Sequence, residues 1–95
     1  MSDYVEDIHK ELYEVSKAGD CARVRELLEA GADPDKYKDG EDGDTALHRA
    51  AWNGHRDVVI SLLESGANPH IRDYKGRTTI DVAKDEEIAG LEFNK

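Results

Sequence analysis

Apolar residues recur along this chain at helical spacing, in paired stripes divided by glycine. Ile8, Leu12 and Val15 stand at i, i+4 and i+7, one face of a helix, until Gly19 interrupts them. Asp20 is suited to cap a second helix, because its carboxylate can accept from the free amides of a first turn. Val24, Leu27 and Leu28 give that helix its stripe. Gly31 follows the last periodic residue and supplies a left-handed closing conformation, and Pro34 prevents resumption.

The same order returns further on. Thr45 is a good N-cap, followed by Leu47, Ala50 and Ala51, a small-residue stripe that lets two helices approach closely. Gly54 ends this helix. Val58, Val59, Leu62 and Leu63 form the strongest apolar stripe of the chain, punctuated by Gly66 and Pro69. Leu27–Pro34 and Leu62–Pro69 read L-L-E-A-G-A-D-P and L-L-E-S-G-A-N-P, at an offset of 35 residues. Gly43-Asp44-Thr45-Ala46-Leu47 and Gly76-Arg77-Thr78-Thr79-Ile80 echo each other at an offset of 33. Self-similarity at this period predicts a stack of repeats, in which each unit shields its apolar side on a neighbour.

A third unit opens at Asp73 and Gly76. Thr78 is expected to cap a helix carrying Ile80, Val82 and Ala83. Asp85 is expected to cap a last helix, Glu86 to about Asn94, with Ile88 and Leu91 on its inner side and a polar outer side that closes the stack. Polar links run from Ala32 to Asp44 and from Ala67 to Arg77. Gly31 to Thr45 spans 14 steps and Gly66 to Thr78 spans 12, so the first link carries two extra residues. Both links read as projecting fingers.

Composition narrows the function classes. The chain has 95 residues, 38% of them hydrophobic and 37% charged, which suits one small domain. No apolar run nears the roughly 20 residues a membrane helix needs. The acidic N-terminus lacks the order of a signal peptide. A net charge of −9 disfavours nucleic acid and anionic membranes, and suits a partner with a basic contact surface. Cys21 is the only cysteine, so no internal disulfide forms, and the expected location is the cytosol or nucleus.

Thr45-Ala46-Leu47-His48-Arg49-Ala50-Ala51, preceded by Gly43, resembles the T-P-L-H-x-A-A signature of the ankyrin repeat. Asn53-Gly54-His55 resembles the family's turn between helices. Val58-Val59, Leu62-Leu63 and Gly66-Ala67-Asn68 resemble its V-V-x-L-L-x-x-G-A-D. Ala46 stands where the family has Pro, and Thr79, Ile80 and Asp81 stand where it has Pro, Leu and His. The first unit lacks the signature, and Val5 to Val15 reads as an N-terminal cap.

The resemblance covers about residues 5 to 93. It implies an all-α fold: an ankyrin-repeat α-solenoid of stacked helix–turn–helix units with projecting β-turn or hairpin fingers. One domain, 1–95, is expected, with repeat one and its cap over about 5–38, repeat two over about 39–72, and repeat three with its cap over about 73–94. The resemblance also implies structural hydrogen bonding by His48 and His55, and binding of proteins along the finger tips and the exposed side of the first helices.

Other chemistry is weakly supported. Cys21 has no sequence neighbour that would activate it. Phosphate-loop, H-E-x-x-H and G-x-S-x-G motifs are missing. The acidic run Asp39–Asp44 does not follow the oxygen order of an EF-hand loop, so no metal or cofactor is assigned. His70 lies on the second finger, and His9 is expected to be exposed on the first helix.

The fingers differ in charge: Asp33 to Asp44 sums to −4, and His70 to Arg77 to +2. Tyrosine, tryptophan and arginine are enriched at interfaces. Trp52, at the end of its helix, either anchors a partner or packs on neighbouring units, and the two roles are compatible. The candidate contact residues are Tyr37, Lys38, Glu41, Asp44, Trp52, Asn53, Arg72, Tyr74, Lys75 and Arg77.

The expected function is a non-catalytic, monomeric protein–protein interaction module with another protein as its partner. The alternative is a regulatory or inhibitory ankyrin subunit or fragment of a larger enzyme system. A third reading, an enzyme or metal sensor, would require bound metal or a hyper-reactive Cys21.

Overall fold

The computed structural model describes residues 7–84 and 86–91. Six helices follow in chain order among these described residues: α1 (Ile8–Ala18), α2 (Cys21–Glu29), α3 (Ala46–Trp52), α4 (Arg56–Glu64), α5 (Thr79–Val82) and α6 (Glu86–Ala89). No strand occurs among the described residues. Each pair folds back on itself. The first helices α1, α3 and α5 lie side by side, and α2 packs against α4 behind them. The molecule is therefore elongated, 44 × 27 × 22 Å. This is the all-helical stack of helix–turn–helix units that the repeats predict.

Local side-chain chemistry marks the starts of α1, α2, α3 and α5. Asp7 accepts from the amides of His9 and Lys10 at the start of α1, and Asp20 accepts from Arg23 at the start of α2. Thr45 and His48 form a reciprocal capping box on α3. Its repeat-three counterpart uses Asp81, whose carboxylate accepts from the Thr78 amide at 2.9 Å. That contact holds the Asp81 carboxyl below its ordinary value. The start of α4 has no side-chain cap. His55 stands there, and its imidazole Nε2 instead meets the Lys17 carbonyl at 3.0 Å, at the end of α1.

The core follows the stripes. Leu12, Val24, Leu27, Leu47, Val58, Val59 and Leu62 are buried, with Ala50 and Ala51 between helices. Two glycines are needed where units touch. A Cβ on Gly19, at φ +82°, would lie 2.7 Å from the His55 ring, and one on Gly43, at φ +69°, would collide with the Tyr74 ring. The fingers close by backbone bonds: Asp39 donates to the Asp44 carbonyl and Asp73 to the Arg77 carbonyl, both at 2.9 Å. Those bonds locate the two extra residues of the first finger. One falls between Gly31 and Asp39, the other inside the turn.

Four local expectations are corrected. Tyr13 and Ser16 join the buried side of α1, because that helix packs on both α2 and α3. His9 is half-buried, its Nδ1 accepting from the Asp33 amide at 3.0 Å. Ile80 is 42% exposed, whereas Leu47 at the matching place is 1% exposed, because among the described residues α5 meets α3 and α6 but no further first helix. Helix α6 stops at Ala89, short of Asn94, where Gly90 weakens the helix and Leu91 donates to the Ile88 carbonyl in a tighter turn. The Asp85 cap, Val5 and residues 92–95 lie outside the described residues.

Candidate functional site

Trp52 ends α3 with its indole 40% exposed. Arg49, three residues earlier, lies on the same side of the helix, and its guanidinium carbon stands 5.1 Å from the indole centroid. Arg77 reaches across from the second finger to 4.8 Å. Both cations are within cation–π range of one ring. Each is also held from behind. Arg49 donates Nε to Asp44 at 3.1 Å and approaches Asp42 at 3.5 Å, and Arg77 donates Nε to Asp73 at 2.8 Å.

His48 fixes the second finger to α3. Its Nε2 meets the Arg77 carbonyl at 2.9 Å. A carbonyl only accepts, so Nε2 carries the proton, and Nδ1 accepts from the Thr45 amide at 3.2 Å. Arg77 is thus held at its main chain by His48 and at its side chain by Asp73. The structural roles implied for His48 and His55 are those observed.

Asp73 organises the finger tip. It is buried, and its oxygens accept from the amides of Lys75 and Arg77 and from the Arg77 guanidinium. Burial alone would raise its carboxyl, but the Arg77 and Lys75 donors outweigh it, so the group lies below its ordinary value. A depressed carboxylate stabilises the fold above its unfolded-state value, and that contribution disappears as pH falls through the folded value. Stability of the parent should therefore start to fall as pH drops below the ordinary carboxylate range, about pH 4. Asp73→Asn should flatten that part of the curve and weaken the fold at pH 7. Urea melts at several pH values check this; parallel curves for both proteins would contradict it.

The first finger joins the same network. Asp42 accepts from the Tyr74 amide at 2.9 Å, and the Tyr74 ring lies over Gly43 while remaining 68% exposed. Asp44 is a correction to the candidate list. It is 2% exposed and accepts from the Tyr13 hydroxyl at 3.0 Å as well as from Arg49. It is an internal post that orients Arg49, with no face for a partner. Burial raises the Tyr13 phenol well above its ordinary value, and the Asp44 charge adds to this, so the hydroxyl stays protonated and donates. Tyr37 packs on Tyr13 with ring centroids 5.1 Å apart.

The remaining candidates divide. Asn53 donates its amide to the Lys17 carbonyl at 3.0 Å and so stitches two units. Arg72 donates to the Gly76 carbonyl at 2.7 Å within its own finger. Lys38, Glu41 and Lys75 are exposed. Sequence reasoning missed Arg49, Asp42, Asp73 and Tyr13. Two signals were available: Arg49 is i−3 to Trp52, and Asp73 is i−4 to Arg77.

The carboxylates of Asp39, Asp42 and Asp44 come within 4.8 Å of one another. The protein's own donors already meet them: Arg49 on Asp42 and Asp44, Tyr13 on Asp44, and the amides of Glu41 and Asp42 on Asp39. Cys21 is half-buried, and its sulfur lies 3.7 Å from the Ser61 hydroxyl. A hydroxyl is no base for a thiol, so this contact gives no activation. No helix among the described residues is long and apolar enough to cross a membrane.

Known proteins share this architecture. The family model for ankyrin repeats, three copies, matches residues 10–84. A putative E3 ubiquitin-protein ligase, XBAT34, of Arabidopsis thaliana is 40% identical over 81 residues, 85% of this chain and 19% of that protein. The 2-5A-dependent ribonuclease of Mus musculus is 43% identical over 79 residues, 83% of this chain and 10% of that protein. The inhibitor of Bruton tyrosine kinase of Homo sapiens is 41% identical over 82 residues, 86% of this chain and 6% of that protein. The chain thus spans less than a fifth of the length of these relatives. Ankyrin repeats generally mediate protein–protein interaction. The three matched repeats agree with the capping boxes and stacked helix pairs, and this chain belongs to the ankyrin-repeat family.

Proposed function

We propose that the chain is a non-catalytic binding module that holds a partner protein on the face formed by Trp52, Arg77 and Tyr74. The observation that carries this reading is the exposed indole with two guanidiniums stationed against it. Rigid aromatic and arginine side chains are the residue types that dominate interface energetics, because they bring area and hydrogen bonding at low entropic cost. Pre-positioning by Asp44, Asp73 and His48 lowers that cost further. A lone cysteine fits a reducing compartment, so we place the activity in the cytosol or nucleus.

The test compares partner capture by the parent and by a Trp52→Ala/Tyr74→Ala variant whose circular dichroism matches the parent. The variant should lose the captured proteins, with affinity reduced at least tenfold, as for truncation of a hot spot. Undiminished capture of every partner would refute this face.

The second reading is a regulatory segment serving a larger assembly. It is favoured by the relatives, in which the matching region is a small part of a much longer protein.

A further inference from the structure

The two finger tips that meet beside Trp52 carry opposite charge. On one side lie Asp39, Glu41 and Asp42; on the other lie Arg72, Lys75 and Arg77 around the buried Asp73. They adjoin at a single backbone bond, Tyr74 amide to Asp42 carbonyl, 2.9 Å. Tyr74 therefore stands on the boundary, its ring over Gly43 of the acidic finger. The charges differ in how far they are already matched. Arg77 donates Nε inward to Asp73, and its terminal nitrogens have no acceptor among the described residues. The Lys75 ammonium and the Glu41 carboxylate likewise have no side-chain partner among the described residues, and both residues are exposed. The exposed Tyr74 ring thus stands where unmatched positive and unmatched negative groups adjoin.

We propose that this face takes an extended peptide segment of matching polarity: one apolar or aromatic residue seated on Trp52 and Tyr74, carboxylates on the Lys75–Arg77 side, and lysine or arginine on the Glu41 side. The proposal rests on the binding face assigned above and adds the chemistry of its occupant. A segment with acids on both sides meets Glu41 and Asp42. A segment with bases on both sides meets Lys75 and Arg77. Only the bipolar order matches both tips, and like-charge contacts reject the others. The tips adjoin at the Tyr74–Asp42 bond, and an extended chain advances about 3.3 Å per residue, so a short segment lies across that boundary.

The test uses a displayed library of random twelve-residue peptides, selected on the full chain and counter-selected on Trp52→Ala/Tyr74→Ala. Selected peptides are then titrated against the parent, Lys75→Glu and Glu41→Lys, reading the fluorescence of Trp52, the only tryptophan. Neither swapped side chain has a partner to lose, so the fold is preserved, and circular dichroism verifies it. Expected are peptides with acids on one side of an apolar anchor and bases on the other. Each swap should weaken them about three- to tenfold, the range for turning an exposed attraction into a repulsion. Replacing by a base the one peptide acid that meets position 75 should recover part of the lost binding to Lys75→Glu and weaken binding to the parent. Selected peptides lacking this polarity, or indifferent to both swaps, would overturn the inference while leaving the Trp52–Tyr74 face intact as a binding surface. A library yielding no peptide dependent on Trp52 and Tyr74 would also overturn it.

Discussion

Leu62→Ala should lower the unfolding free energy by about 2 to 5 kcal/mol, the range for truncating a fully buried leucine. Leu62 has no exposed surface and belongs to the cluster that joins α3 and α4 to the first unit. Removing its outer carbons forfeits transfer energy and leaves a void between helices that cannot close without shifting α2 or α4. A domain of this size has roughly 5 to 14 kcal/mol in total, so much of the margin goes. The middle unit lies between the other two, and its loss deprives both of their shielding surface. Urea unfolding followed by circular dichroism should show the midpoint collapsing for the whole chain at once. A midpoint equal to the parent's would mean that the α2–α4 layer is not the foundation described here.

Asp44→Ala should cost about 3 kcal/mol through a different mechanism. Breaking a buried ion pair by removing one member typically costs about 3 to 5 kcal/mol, because the other charge stays behind uncompensated. Arg49 keeps a longer contact to Asp42 at 3.5 Å, which puts the effect at the lower end. The Tyr13 hydroxyl also loses its acceptor. Asp44→Asn can still accept from Tyr13 but cannot balance Arg49, so it should fall between parent and alanine. The same variants should alter Trp52 emission, since Arg49 would no longer be held against the indole. Thermal melts and tryptophan spectra of the two variants check both effects. Stability within about 0.5 kcal/mol of the parent would show that the pair contributes nothing net.

The repeat architecture was legible because it is written in periodicity and punctuation. Leu27, Leu62, Gly31 and Gly66 encode the same corner twice, and the caps at Asp20, Thr45 and Thr78 were visible as residue types. The first and third units were less legible, since among the described residues each packs on a neighbour on one side only. Ile80 carries the family's apolar residue type yet is 42% exposed, and α6 ends at Ala89.

The site was legible in part. Trp52, Tyr74 and Arg77 stood out as residue types, but the acids around them looked alike in sequence. Asp44 and Asp73 are buried anchors, while Glu41 is exposed. Only three-dimensional proximity separates them: Asp44 meets Tyr13, 31 positions away, and no local pattern records such a contact.

At each of the two junctions between neighbouring helix pairs, one of the acceptors is a main-chain oxygen. The Lys17 carbonyl receives Asn53 and His55, and the Ala51 carbonyl receives the Lys84 amide. Every amino acid carries such an oxygen, so drift at positions 17 and 51 leaves both joints supplied with an acceptor. Those two joints therefore read the backbone of the accepting residue rather than its side chain.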